Sequence, residues 1–160
     1  MDAEAAAEVL PCCGSRAWAA ELAARRPMVD AAALLRESDA VWLALREQDW
    51  QEAFDSHPRI GEHKAQKDAT AESLRSSAQE QSEALTADEA AKVALKDGNR
   101  RYEKRFGRIF IICASGRSTI EILAALEARM SNDDATEMHE AADQQRQITV
   151  LRLKRWLGEA

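Results

Sequence analysis

The sequence predicts an all-α fold, and three observations support this prediction. The 160 residues contain only six glycines and three prolines, too few for the many turns of a β-sandwich or barrel. Alanine, leucine, glutamate, arginine and glutamine abound, and these residues favour helices. Apolar residues recur at helical spacing, and capping signals separate the segments. We therefore expect one domain over residues 1–160 with about seven to nine helices.

The N-terminal part of the chain reads as two helical stretches. Residues 4–26 are predicted to form helix with a break at residues 11–15, where Ser15 can cap the second piece. The stretch from Asp30 to Phe54 keeps the apolar spacing of a single amphipathic helix. That helix should end at His57, because the residue before a proline avoids helical backbone angles.

The second half of the chain predicts further helices, separated by capping signals and breaks. Ser118-Thr119-Ile120-Glu121 has the pattern of a capping box, and Asn132-Asp133-Asp134 should separate two helices. The predicted helices begin at about Thr70, after the capping box at Thr86, after Ser118, and at about Asp134, the last running to Leu157.

A short apolar run, residues 109–114, stands out because it has neither helical nor strand periodicity. Six apolar residues without alternation indicate burial on all sides, and Gly107 and Gly116 at its ends favour an extended backbone. Buried extended backbone has N–H and C=O groups that need partners. Either other groups of the protein or a bound ligand can provide them, and the sequence leaves both interpretations open.

Composition and charge exclude several classes of partner. The formal net charge of −6, without a basic cluster rich in aromatic residues, argues against binding to nucleic acid or to anionic membranes. No apolar stretch reaches about 18 residues, and the acidic N-terminus lacks the features of a signal peptide. Three cysteines, Cys12, Cys13 and Cys113, do not form a disulfide framework, so a cytoplasmic location is expected.

Two polar residues have both a structural and a functional interpretation. His57 can be an ordinary residue at a helix end, or a proton donor or acceptor whose pKa lies near neutrality. Arg152 is in line with Ile148 and Trp156 on the last predicted helix. Its side chain can lie along the surface with its head in water, or it can point into a pocket that receives a carboxylate or carbonyl.

A third group of polar side chains projects from one face of the helix predicted after Thr70. Ser77, Glu80 and Gln81 stand at positions i, i+3 and i+4. The pair Ser77 and Glu80 is also a capping box, which is a purely structural role.

Patterns for metal binding and for known nucleophiles are weak or absent. His57, Glu62 and His63 are close in sequence but lack the helical HExxH spacing of zinc enzymes. Neither a nucleophile elbow nor a phosphate-binding glycine loop is present. The residues alone therefore predict a helical domain with a possible His/Glu/Arg pocket and no defined reaction.

Several short motifs follow one another along nearly the whole chain. They are Cys12-Cys13-Gly14-Ser15 with Trp18 and Arg26-Pro27, Ser56 to Glu62, Ser77-x-x-Glu80-Gln81, Asn99-x-x-Tyr102, Phe106-Gly107 with Phe110 to Arg117, and Ile148-Thr149-x-Leu151-Arg152-Leu153. In this order they resemble the 2-oxo-4-hydroxy-4-carboxy-5-ureidoimidazoline (OHCU) decarboxylase family of uric acid breakdown. HPRIG combined with FIICASGR is highly specific, and Met28 and Arg108 are small departures from the family pattern.

The resemblance implies an all-α homodimer that forms S-(+)-allantoin from a small ureidoimidazoline, without metal or organic cofactor. It implies that His57 is the proton donor, that Glu80 holds the substrate hydroxyl and that Arg152 offsets negative charge. The remaining substrate-binding residues implied by the resemblance are Pro58, Ser77, Gln81, Phe110, Ile111, Ile112, Cys113 and Ala114.

Two other functions compete with this interpretation. A non-catalytic helical interaction module of the same fold predicts no turnover and a pocket that has lost its polar residues. A hydrolase of the same pathway would release ring-opened allantoate instead of CO2 and allantoin.

Overall fold

Helices form most of the protein. The structure, a computed structural model, describes residues 2–60 and 89–158. It confirms the predicted all-α class, whereas the helix predicted from about Thr70 and the capping box at Thr86 lie outside the described residues. None of the described helices is long and apolar enough to cross a membrane. The helices are α1 (Asp2–Val9), α2 (Arg16–Ala24), α3 (Ala31–Leu43), α4 (Glu47–Asp55), α5 (Glu89–Phe106), α6 (Thr119–Arg129) and α7 (Asp134–Trp156), with a 3₁₀ turn at Leu10–Cys12.

The first two helices are separated where the sequence predicts. Ser15 is the N-cap of α2, and its Oγ accepts a hydrogen bond from the backbone N–H of Trp18 at 3.2 Å. Gly14 has a φ of +92°, and a Cβ atom there would lie 2.3 Å from Ser56 Oγ. Only glycine fits both restrictions, so this turn packs directly against the end of α4.

The prediction of a single helix from Asp30 to Phe54 is wrong, because the chain breaks between α3 and α4 at residues 44–46. No glycine or proline marks this break. The Trp50 indole donates a hydrogen bond to the Trp42 carbonyl at 2.9 Å, and the N–H of Leu45 donates to the same oxygen at 3.2 Å. The Trp42 carbonyl at the end of α3 therefore accepts a tertiary hydrogen bond in addition to the local one.

The predicted capping box at Ser118 and the predicted start of the last helix at about Asp134 are confirmed. Ser118 Oγ accepts from the N–H of Glu121 at 3.1 Å, and the Glu121 carboxylate accepts from the N–H of Ser118 at 3.3 Å, which completes the capping box. Asp133 Oδ1 accepts from the N–H of Thr136 at 2.7 Å and begins α7. The 23 residues of α7 then run through the protein to Trp156.

The apolar run at residues 109–114 is extended and buried, as predicted, and it divides the core. Ile109, Ile111 and Cys113 pack into a cluster with residues of α2, α3, α4 and α7. Alternate residues, Phe110 and Ile112, pack into a second cluster with residues of α5 and α6. Successive side chains of extended backbone point to opposite sides. Apolar surroundings on both sides thus explain why the run has no polar alternation.

Candidate active site

His57 is fixed by the tight turn that ends α4. Ser56 Oγ donates to the carbonyl of Ala53 at 2.6 Å, and the N–H of His57 donates to the carbonyl of Phe54 at 3.1 Å. These bonds hold the turn, and Gly14 packs against Ser56 from the other side. The His57 side chain is buried, with 6% of the residue exposed, so it is a helix-end residue that faces the interior.

The imidazole of His57 begins a chain of buried hydrogen bonds that leads along α7. His57 Nε2 lies 2.6 Å from Gln145 Oε1, and Gln145 Nε2 donates to Thr149 Oγ1 at 3.1 Å. The Thr149 hydroxyl in turn hydrogen bonds to the thiol of Cys13. Gln145 and Cys13 are both 0% exposed. We call these four residues together with Arg152 the imidazole cluster.

Arg152 belongs to the same cluster and is buried, with 3% of the residue exposed. Its Nη1 donates to the carbonyl of Pro11 in the 3₁₀ turn at 3.4 Å. This burial excludes the interpretation of Arg152 as a surface arginine with its head in water. The arginine and His57 come from distant parts of the sequence, and the packing of α4 against α7 brings them into electrostatic contact.

Burial and charge strongly disfavour the protonated form of His57. Burial is the main cause, and the positive charge of Arg152 adds to it, so that the pKa of His57 is lowered from 6.5 to about 3. The hydrogen bond to Gln145 acts in the opposite direction and is the smaller effect. The imidazole is therefore neutral at pH 7.

The thiol at the far end of the hydrogen-bond chain is also neutral. Burial raises the pKa of Cys13 from 9.0 to about 12, although hydrogen bonds from the Ser15 backbone and from Thr149 lower it. A thiol with this pKa is a weak nucleophile at neutral pH. Cys13 thus serves as a hydrogen-bond partner in the resting protein.

A second buried polar group, the carboxylate cluster, lies near the N-terminal end of α7. Glu137 is 0% exposed and accepts from Arg129 Nε at 2.7 Å and from the Tyr102 hydroxyl at 2.6 Å, both at Oε1. Asn132 Nδ2 donates to the other carboxylate oxygen at 3.0 Å. Burial, followed by the bond to Glu137, raises the pKa of Tyr102, so the phenol stays protonated and donates.

Side chains of α6 and α7 bind two backbone groups of the extended segment. Arg129 Nη1 donates to the carbonyl of Ile111 at 2.7 Å, and Gln144 Oε1 accepts from the N–H of Cys113 at 2.9 Å. For these two groups the protein itself supplies the partner. A contact from Cys113 to a substrate would therefore use atoms other than its N–H.

The structure buries several other residues of the predicted site. Pro58 follows His57 and is buried, and Phe110, Ile111, Ile112 and Ala114 are buried in the extended segment.

Two contacts hold the chain after Pro58 against α5. Arg59 forms a bidentate ion pair with Glu103 at 2.8 Å, and Asn99 Nδ2 donates to the carbonyl of Ile60 at 3.1 Å. The other predicted residues, Ser77, Glu80 and Gln81, lie outside the described residues.

Sequence reasoning missed most members of both clusters. Gln145 and Thr149 follow Ala141 at spacings of four along α7, a stripe that otherwise faces the core. Glu137 is one turn before Ala141 on the same stripe. Polar residues at core positions of an amphipathic helix are a signal for buried hydrogen-bond networks, and this signal could have found all three.

Metal-binding residues are not grouped in the part of the chain that the structure describes. Within residues 2–60 and 89–158, no three His, Cys, Asp or Glu side chains are placed to hold one ion. Of the weak candidate group named above, Glu62 and His63 fall outside these ranges.

The fold and the imidazole cluster together describe an all-α protein with a buried histidine beside a buried arginine. The sequence model of the OHCU decarboxylase family matches residues 1–154. The chain therefore belongs to the OHCU decarboxylase family, whose members are carboxy-lyases. Membership in an enzyme family favours catalysis over the alternative of a non-catalytic interaction module.

Similar proteins agree with this assignment. The chain is 37% identical over 149 residues to the uric acid degradation bifunctional protein TTL of Arabidopsis thaliana, covering 92% of this chain and 46% of that protein. It thus spans about half the length of this curated relative. A crystal structure of OHCU decarboxylase in the presence of (S)-allantoin matches with a TM-score of 0.79 and 31% identity, covering 95% of this chain and 98% of that one.

A more distant structure shares the fold. The crystal structure of (S)-allantoin synthase matches with a TM-score of 0.66 and 19% identity, over 96% of this chain and 50% of that chain.

Proposed function

We propose that the protein decarboxylates OHCU to (S)-allantoin, with His57 as the group that moves the proton. The observation that carries this proposal is the buried, neutral imidazole of His57 beside the Arg152 guanidinium, in a chain of the OHCU decarboxylase family. A relative crystallised in the presence of (S)-allantoin supports the choice of product.

The substrate contains its own electron acceptor. One ring carbon bears both the hydroxyl and the carboxylate, and it lies next to a C=N bond. When the bond to the carboxylate breaks, CO2 leaves and the electron pair moves toward the C=N nitrogen, which takes up a proton. The resulting enol becomes allantoin when the hydroxyl loses its proton and the neighbouring carbon gains one. The protein must therefore orient the carboxylate and deliver a proton to one face of a carbon atom.

A neutral His57 suits the second half of this reaction. With a pKa of about 3, it holds no spare proton at pH 7 and acts first as an acceptor. It takes the proton of the enol hydroxyl and returns it to carbon from one side, so His57 becomes a donor only after it has been a base. Arg152 stabilises the negative charge that precedes carbon protonation.

Further roles follow from the family resemblance. Glu80 orients the substrate hydroxyl, Ser77 and Gln81 bind polar edges of the ring, and Pro58 with the segment 110–114 lines the site. We also propose a homodimer in the cytoplasm that works without metal or organic cofactor.

The test generates OHCU in the cuvette from urate with uricase and 5-hydroxyisourate hydrolase, and it follows allantoin by circular dichroism. His57→Asn should lose at least about 100-fold in rate, the lower range for a positioned acid or base. Its product should be close to racemic, because spontaneous decarboxylation has no facial preference. The matched control is His139→Asn, since His139 is exposed and contacts the edge of Trp50.

Far-ultraviolet circular dichroism checks that each variant is folded. A folded His57→Asn protein that makes one enantiomer at the wild-type rate would remove His57 from the mechanism. Wild-type activity should survive exhaustive chelation. A rate that is lost on chelation and restored by one metal would contradict the cofactor-free reaction.

A further inference from the structure

We propose that Gln145 is a positioning residue that keeps the proton of neutral His57 on Nε2, so that Nδ1 is the nitrogen that exchanges protons with the substrate. This inference rests on the role of His57 proposed above. It adds which ring nitrogen reacts and which residues determine that choice.

The direction of the hydrogen-bond chain follows from the contact between Gln145 and Thr149. Gln145 Nε2 donates to Thr149 Oγ1 at 3.1 Å. An amide nitrogen only donates hydrogen bonds, and a hydroxyl oxygen can accept them, so this contact directs the NH2 group of Gln145 toward Thr149.

The orientation of the Gln145 amide follows from this contact. Because its NH2 group faces Thr149, its carbonyl oxygen faces His57, 2.6 Å from Nε2. A carbonyl oxygen only accepts hydrogen bonds, so Nε2 must carry the hydrogen. In the other neutral tautomer, the Nε2 lone pair would face the carbonyl oxygen at this short distance, without a hydrogen between them.

Burial strengthens the preference of neutral His57 for the Nε2–H tautomer. Gln145 is 0% exposed, so bulk water does not offer its amide an alternative partner. Within residues 2–60 and 89–158, the imidazole ring forms its hydrogen bond with Gln145. The bond also strengthens when the ring gains a second proton, in agreement with the upward effect of Gln145 on the pKa of His57. Gln145 thus stabilises the short-lived imidazolium, whereas burial and the charge of Arg152 destabilise it.

The first experiment reads the tautomer without substrate. In protein with ¹⁵N-labelled histidine, two-bond proton–nitrogen correlations distinguish the two neutral tautomers, and the His57 signals are those missing from His57→Asn. We expect the Nε2–H form at pH 7. The Nδ1–H form in the wild-type protein would overturn the inference whatever the activity.

The second experiment uses kinetics and the same spectra. Gln145→Leu removes the acceptor, and we expect kcat to fall about tenfold with little change in KM, since one hydrogen bond to the transient cation is lost. The His57 ring should then lose its tautomer preference. Gln145→Glu keeps an acceptor and adds negative charge, so it should move the acid limb of the pH–rate profile upward.

Matched variants control for packing. Thr149→Val keeps the shape but cannot accept from Gln145, and it should weaken the preference for Nε2–H, whereas Thr149→Ser should retain it. Gln147→Leu is the control for Gln145→Leu, because it replaces another glutamine of α7. Gln147 bonds to Asp143 at the surface, and this variant should leave both readouts unchanged.

The outcomes separate the two proposals. If folded Gln145→Leu keeps the wild-type tautomer and kcat, the positioning role is overturned. If Gln145→Leu does not fold, the wild-type spectrum and the Val/Ser pair at Thr149 decide. If His57→Asn keeps full activity while wild-type His57 is in the Nε2–H form, the proposed catalytic role fails and the hydrogen-bond direction stands.

Discussion

The two buried polar clusters on α7 differ in whether their charges are compensated. In the carboxylate cluster, Glu137 and Arg129 neutralise each other, and Tyr102 and Asn132 also donate to the carboxylate. In the imidazole cluster, burial and then the positive charge of Arg152 lower the pKa of His57, and neutral hydrogen bonds join His57, Gln145 and Thr149. Glu137 and Arg152 are about 22 Å apart along one helix.

This difference separates a structural role from a chemical one. A buried ion pair supported by further hydrogen bonds holds elements together, and here it joins α6, α7 and the carbonyl of Ile111. A buried imidazole whose protonation is opposed by a nearby cation is held away from its ordinary state. Such groups are candidates for proton transfer.

The largest expected effect is on stability, in the carboxylate cluster. Glu137→Gln leaves the Arg129 charge buried without its counter-ion, and we expect the free energy of unfolding to fall by roughly 3–5 kcal/mol. Urea denaturation followed by circular dichroism measures this change. The control is Glu127→Gln in the exposed pair with Arg101, where the loss should be much smaller because water screens the two charges. Equal losses in both variants would show that the buried pair has no special role.

A smaller effect is the dependence of stability on pH in the imidazole cluster. His57 binds its proton with a pKa of about 3 when folded and 6.5 in its ordinary state. The unfolded state therefore binds more protons between these values, so stability should be lost as the pH falls below 6.5. Between pH 7 and 4.5 this contribution is about 2–3 kcal/mol.

The comparison of wild type with His57→Asn isolates this contribution. His57→Asn should lack the contribution of His57 to the pH dependence of stability, while the carboxylates contribute equally in both proteins. Identical pH dependence in the two proteins would mean that His57 titrates normally in the folded state.

The smallest expected effect comes from removal of the cation in the imidazole cluster. Arg152→Met should raise the pKa of His57 toward its ordinary value, because a like charge nearby is lost. Turnover should fall roughly tenfold to a hundredfold, since a charge-assisted contact to the substrate is also lost. Histidine NMR titration and the coupled assay measure the two changes.

Arg146→Met is the matched control, because Arg146 lies on the same helix and its partly exposed side chain pairs with Asp143 and with Asp39 of α3. Full activity of folded Arg152→Met would assign the buried arginine to structure alone.

Local signals predicted much of the fold. Ser15, Ser118 and Asp133 begin helices where the sequence indicates, because a cap is determined by residues within one turn. The break at residues 44–46 was missed because its stabilising contact, from Trp50 to the carbonyl of Trp42, depends on how two helices pack.

The candidate site was less accessible to local reasoning. The sequence alone makes His57 and Arg152 candidates but leaves their burial open. A histidine at a helix end has the same sequence pattern whether it is structural or catalytic, and an arginine in line with apolar residues has the same pattern whether it lies on the surface or in a pocket. Gln145 and Thr149 were missed because their partners, His57 and Cys13, come from distant parts of the chain. Hydrogen-bond networks of this kind are fixed by tertiary structure.

The buried thiol of Cys13 gives the protein an internal reporter of local opening. A thiol that is 0% exposed, with a pKa of about 12, reacts with alkylating reagents only after the turn before α2 moves away from α7. Its labelling rate therefore measures how often the surroundings of His57 open to solvent. A ligand that binds beside His57 and holds this region closed should slow the labelling of Cys13, even if the ligand never touches the sulfur.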